Sequence, residues 1–131
     1  KHLEKAKISA EIIDPISLKP LDIDLIVKSV KKTGRLLVVD NGWLTCGAAG
    51  EIILQVMERL PNGIGGKPIP MARMGCAETT CPTTKPLEDL LYPRGRTIAA
   101  KAYGLIRNDG KLDWLPKTDK RTEIEEFKGP F

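Results

Sequence analysis

The hydrophobic pattern changes period along this chain, and each change marks an element. After HLEKAK, which reads as the closing turns of a helix, ISAEIID (8–14) carries Ile8, Ala10, Ile12 and Ile13 in the manner of a buried strand. Pro15 and Pro20 forbid a continuing helix. In DIDLIVKSVKKTG (22–34), Ile23, Ile26, Val27 and Val30 recur at helical spacing, Asp22 is placed to cap, lysines fill the last turn and Gly34 terminates. RLLVVD (35–40) is an uninterrupted apolar run too short for a helix, the pattern of a parallel strand covered on both faces. Beyond a glycine-punctuated bend, CGAAGEIILQVMERL (46–60) puts Ile52, Ile53, Val56, Met57 and Leu60 on one side of a helix that Pro61-Asn62-Gly63 stops. IPMARMG (69–75) reads as a third strand. A polar, proline-interrupted segment follows (76–86), then a short helical turn at LEDLLYP and a helix over RTIAAKAYGLIRN (96–108). The remainder has no sustained period and reads as a surface tail with Trp114 and Phe127 as anchors.

Strands alternating with helices predict an α/β fold, a mostly parallel sheet with helices on both faces. Only three strands are legible, and the chain opens inside a helix at Lys1, so the expectation is a piece of a longer protein whose sheet lacks its first strand. Such a sheet would leave an edge and apolar helix faces in search of a partner.

Composition narrows the function classes. With 41% hydrophobic and 29% charged residues the chain has a soluble domain's balance, and no apolar run approaches the roughly 18 residues of a membrane span. The net charge of +4 comes from scattered lysines and arginines, dense only at KSVKK (28–32). With few aromatics to stack on bases, it reads as a solvated helix end rather than a nucleic-acid surface. Cys46, Cys76 and Cys81 form no CxxC pair, so neither a disulfide framework nor a zinc site is indicated. A reducing compartment follows, cytoplasmic or mitochondrial matrix, and not a secreted one.

The motif that invites chemistry is GWLTCGAAG, a strand-to-helix turn of the kind that presents backbone N–H groups to phosphate. It lacks the Lys-Ser/Thr pair of a P-loop, its spacing is not GxGxxG, and Glu51 follows Gly50 where a carboxylate would oppose a phosphate. The plainer reading is that Gly47 and Gly50 let a helix approach the sheet while Trp43 packs over the bend. Cys46, at the expected helix start, has no partner base because His2 is distant in sequence, and is expected to be a small buried residue. Glu88 and Asp89, beside Leu87, Leu90 and Leu91, read as the solvated side of a short helix. No catalytic constellation emerges.

Read in order, AEIIDPISLKPLDIDLIVKSVKKTGRLLVVDNGWLTCGAAGEI, ARMGCAETTCPTTKPLEDLLYP and RTIAA closely resemble the C-terminal domain of transketolase-like thiamine-diphosphate enzymes, nearest to the beta subunit of pyruvate, branched-chain 2-oxoacid and acetoin dehydrogenases. The resemblance covers about residues 3 to 107, and it implies a domain over 1–107 with a C-terminal extension at 108–131. It implies a three-layer α/β/α unit that is structural rather than catalytic. Thiamine diphosphate and magnesium would belong to the whole parent enzyme and not to this segment. The partners implied are the rest of the beta subunit, the alpha subunit, an acyltransferase core and further copies of the chain, with Trp43, Gly47, Gly50, Glu51, Lys85 and Glu88 at interfaces. Two departures stand out. Ala77-Glu78-Thr79-Thr80-Cys81-Pro82 keeps only the second proline of a family P-x-P pair, and Pro68 falls where some members carry an acidic docking residue. The competing reading is a free-standing small-ligand or nucleotide-binding module with the Gly42 to Gly50 turn as its site.

Overall fold

The computed structural model describes residues 1–107 and 109–117. Asn108 and residues 118–131, with the expected Phe127 anchor, lie outside the described residues, as does the Lys85 side chain. The elements run α1 (His2–Lys5), α2 (Ile23–Thr33), β1 (Leu36–Trp43), α3 (Ala48–Arg59), β2 (Met71–Cys76), α4 (Lys85–Leu91) and α5 (Gly95–Gly104).

Local signals fix α2 at both ends. The Asp22 carboxylate accepts from the Leu25 N–H at 3.0 Å, and Gly34 takes the left-handed conformation at φ 72° while its N–H donates to the Val30 carbonyl. The helix buries Ile23, Ile26, Val27 and Val30 against Ile52 and Val56 of α3, and Leu36, Val38 and Met71 of the sheet close this core from below. Val56 is wholly buried, a burial that stabilises by about 1.5–3 kcal/mol. Met57, expected on this face, is instead about half exposed.

β1 and β2 form a parallel ladder, Leu36 opposite Met71 through Val39 opposite Met74, with an irregularity before Trp43 pairs with Cys76. Helix α3 is the crossover and packs on both strands. On the other face α5 faces Ala72 across a shallow hollow, and Arg35 Nε donates to the Leu105 carbonyl at 2.9 Å. The result is the expected three-layer α/β/α arrangement around a short parallel sheet.

The segment 8–14 corrects the sequence reading, since it joins no strand. It lies along α2, where Glu11 pairs with Lys32 at 2.7 Å and Ile13 packs on the core, while Ile12 is 91% exposed. A strand exists only through a ladder partner, and among the described residues β1 pairs with β2 alone. At the far end, residues 109–117 fold back on α5. The Trp114 ring lies 5.2 Å from that of Tyr103, and Arg96 Nε donates to the Pro116 carbonyl at 2.9 Å, so Trp114 anchors as expected.

Candidate functional site

The strand-to-helix turn after β1 is built by backbone proximity. β1 bulges before Trp43, and there Gly42 meets Gly75 of β2 so closely that a Cβ on Gly75 would stand 2.6 Å from the Gly42 carbonyl oxygen. The chain turns through Cys46, in the left-handed region at φ 57°, into Gly47, the residue capping α3. A side chain at Gly47 would collide with the Trp43 carbonyl oxygen, so glycine is required there by contact. At Gly50 a Cβ would meet only the tip of Arg73, 3.0 Å from Nη1, a softer constraint.

Two side chains from β2 and the loop beyond it staple this turn. Arg73 Nη1 donates to the Leu44 carbonyl at 2.6 Å, and Thr45 Oγ1 donates to Glu78 Oε1 at 2.7 Å. Glu51, exposed in the first turn of α3, accepts from Gln55 Nε2 at 2.8 Å and places a carboxylate where the helix dipole favours negative charge. An incoming phosphate would therefore meet Glu51 and Glu78, with the Arg73 guanidinium already engaged. The arrangement holds strand to helix and does not fit the diphosphate of thiamine diphosphate. Among the described residues no group of three His, Cys, Asp or Glu side chains could hold a metal ion, and none of their helices is long and apolar enough to cross a membrane.

Of the expected interface residues, Trp43, Gly47, Gly50 and Glu51 share this turn. Lys85 and Glu88 belong to α4, on the far side of the loop 77–84. Trp43 does not pack over the bend. It is 61% exposed, because the strand's alternation sets it on the outward face with Val39 and Asn41. Cys46 is exposed rather than buried, because the helix starts two residues later and Cys46 occupies the outer corner of the turn. Sequence reasoning missed Arg73, although a lone cation within MARMG was a readable signal. The Thr45–Glu78 bond had none, since it spans two loops.

Apolar side chains also stand exposed on the helices. Leu54 and Met57 lie one turn apart on the outer side of α3, and Leu87 and Leu90 project from α4.

Comparison with known proteins agrees with this geometry. The transketolase C-terminal domain matches residues 1–98. Over 104 residues the chain is 36% identical to the mitochondrial pyruvate dehydrogenase E1 component subunit beta of Chaetomium thermophilum, covering 79% of this chain and 26% of that protein. It is 37% identical over 95 residues to the Saccharomyces cerevisiae protein of the same description, covering 72% and 25%. With the acetoin:2,6-dichlorophenolindophenol oxidoreductase subunit beta of Cupriavidus necator it shares 38% identity over 100 residues, covering 76% and 29%. The chain thus spans about a quarter of the length of these curated relatives. A parallel βαβ core with a sealed strand-to-helix turn, matched over three-quarters of the chain, makes this protein a member of the transketolase C-terminal domain family.

Proposed function

We propose that this chain is a non-catalytic structural and assembly domain of the beta subunit of a thiamine-diphosphate-dependent 2-oxoacid dehydrogenase. The observation that carries the reading is the set of exposed apolar side chains, Trp43, Leu54, Met57, Leu87 and Leu90, on a domain whose turn is closed by its own Arg73 and Glu78. Residues 1–107 form the domain and 108–131 its extension. Trp43 and Glu51 contribute to contacts with the rest of the beta subunit, the alpha subunit or further copies, together with Lys85 and Glu88. Gly47 and Gly50 shape the joint that presents them. Pro68, just ahead of β2, brings no charge to an acyltransferase, so docking of that core by an acidic contact there is not part of the proposal.

The parent enzyme would use thiamine diphosphate and magnesium for oxidative decarboxylation, in the cytoplasm or the mitochondrial matrix. This chain's own work is positional: Arg73 and Thr45 lock the turn, and the turn fixes the angle between β1 and α3. The purified chain, given thiamine diphosphate, magnesium, an electron acceptor and a panel of 2-oxoacids, is expected to turn none over. Measurable decarboxylation by the isolated chain would overturn the proposal.

A further inference from the structure

A surface hollow of about 380 Å³ lies beside α4, with Leu87, Leu90 and Leu91 along one side and Thr79, Thr80 and Pro82 of the preceding loop along the other. Backbone bonds tie the two walls together, since the Ala77 N–H donates to the Leu91 carbonyl at 2.8 Å and the Thr79 N–H to the Ala77 carbonyl at 2.8 Å. Leu91 is buried, whereas Leu87 and Leu90 are 55% and 78% exposed, so much of the apolar lining faces solvent. The volume exceeds the roughly 150 Å³ in which an apolar protein cavity takes up benzene, and an aromatic ring has room there.

The chain itself leads towards this hollow. Residues 109–117 run back along α5: Trp114 lies on Tyr103, Leu115 is buried, and the Pro116 carbonyl accepts from Arg96 near the start of the helix. That start is held to α4, because Arg94, which precedes α5, donates through Nε to the Asp89 carbonyl at 3.4 Å and pairs through Nη2 with the Asp89 carboxylate. Leu91 lies five residues before Arg96, so their Cα atoms are at most roughly 18 Å apart. Phe127 follows Pro116 by eleven residues, which can span up to roughly 36 Å. Over 118–131 the large apolar residues are Ile124, Phe127 and Phe131, and the first two stand among Glu123, Glu125, Glu126 and Lys128. Ile124 and Phe127 are three apart, as Leu87 and Leu90 are. We propose that the C-terminal segment 118–131 covers the hollow, with Phe127 inserted between α4 and the loop 77–84 and Ile124 against Leu87 and Leu90. Trp43, Leu54 and Met57 stay open in this arrangement, so assembly through those residues and the seating of this segment stand or fall separately.

The test uses the full chain with the photoreactive analogue benzoylphenylalanine in place of Phe127, irradiated at low concentration. The main cross-link is expected within one chain, on the proteolytic fragments covering 77–92. Leu90→Ser, at a position too exposed to disturb the core, should cut its yield several-fold, and Leu90→Met should retain it. In the chain without the analogue, Phe127→Ser should speed hydrogen exchange at the amides of 87–91 and leave that of α2 unchanged. A main product on any other segment, a product joining two chains, no product at all, or a yield unmoved by Leu90→Ser would each overturn the proposal. So would equal exchange at 87–91 in the parent and Phe127→Ser chains.

Discussion

Substituting Gly75 by alanine tests the close approach that organises the turn. The new Cβ would lie 2.6 Å from the Gly42 carbonyl oxygen and 3.1 and 3.2 Å from Leu44 Cδ2 and Cγ. Comfortable heavy-atom contacts lie near 3.5–4.0 Å, so the oxygen is about 1 Å too close. That atom is backbone held in the bulged end of β1, and it cannot swing aside as a side-chain tip would. Overpacking of this kind costs about 1–3 kcal/mol, while alanine recovers about 0.4–1 kcal/mol by restricting the unfolded chain. Taking the middle of each range, a net loss of about 1.3 kcal/mol follows. With a urea dependence of about 1–3 kcal/mol per molar, the unfolding midpoint should fall by roughly 0.5–1.5 M. Gly104→Ala is the control: nothing lies within 4 Å of a Cβ at the end of α5, so helix propensity should raise stability, by up to about 1 kcal/mol. The two substitutions are chemically identical and should move the midpoint in opposite directions. A Gly75→Ala midpoint equal to or above the parent's would refute the close approach.

Asp22→Ala removes the cap of α2 and should destabilise by about 1 kcal/mol, read as a lower urea midpoint, whereas Asp22→Asn should retain most of the stability. Glu11 is held below its ordinary carboxylate pKa, first by its hydrogen bond to Lys32. A depressed folded-state pKa stabilises at pH above the unfolded value of 4.5, and that contribution is lost as pH falls through the folded value. Glu11→Gln should therefore lower stability at neutral pH and flatten its decline on acidification, and parallel pH profiles for the two proteins would show that the pair contributes nothing.

What the sequence disclosed follows the range of the forces involved. Helix α2 was readable to the residue because Asp22, Gly34 and the 3.6-residue period all act within the segment itself. β1 was readable because its first residues, Leu36 to Val39, write an apolar run too short for a helix, although its second half alternates and leaves Asn41 and Trp43 exposed; β2, interrupted by Arg73 and Gly75, reads less plainly. The 8–14 segment has a strand's side chains and no strand's hydrogen bonds, because pairing is a property of two segments and the sequence of one cannot supply the other. Trp43 and Cys46 show the same limit at the turn. Their exposure depends on β1 running on to Trp43, three residues past the expected Asp40, and on the helix starting at Ala48, two residues past Cys46. The glycines were legible as a close approach, yet the tight contacts belong to Gly47 and Gly75, while Gly50 touches only the movable end of Arg73.

Sedimentation velocity over a wide range of concentrations tests most directly whether this domain exists to assemble. Leu54 and Met57 are 51% and 54% exposed on the outer side of α3, so Leu54→Ser combined with Met57→Ser removes apolar surface without opening the core. The parent chain is expected to sediment faster as its concentration rises, and the double variant to remain at the monomer's rate. A parent that stays monomeric throughout, indistinguishable from the variant, would contradict self-association through this face.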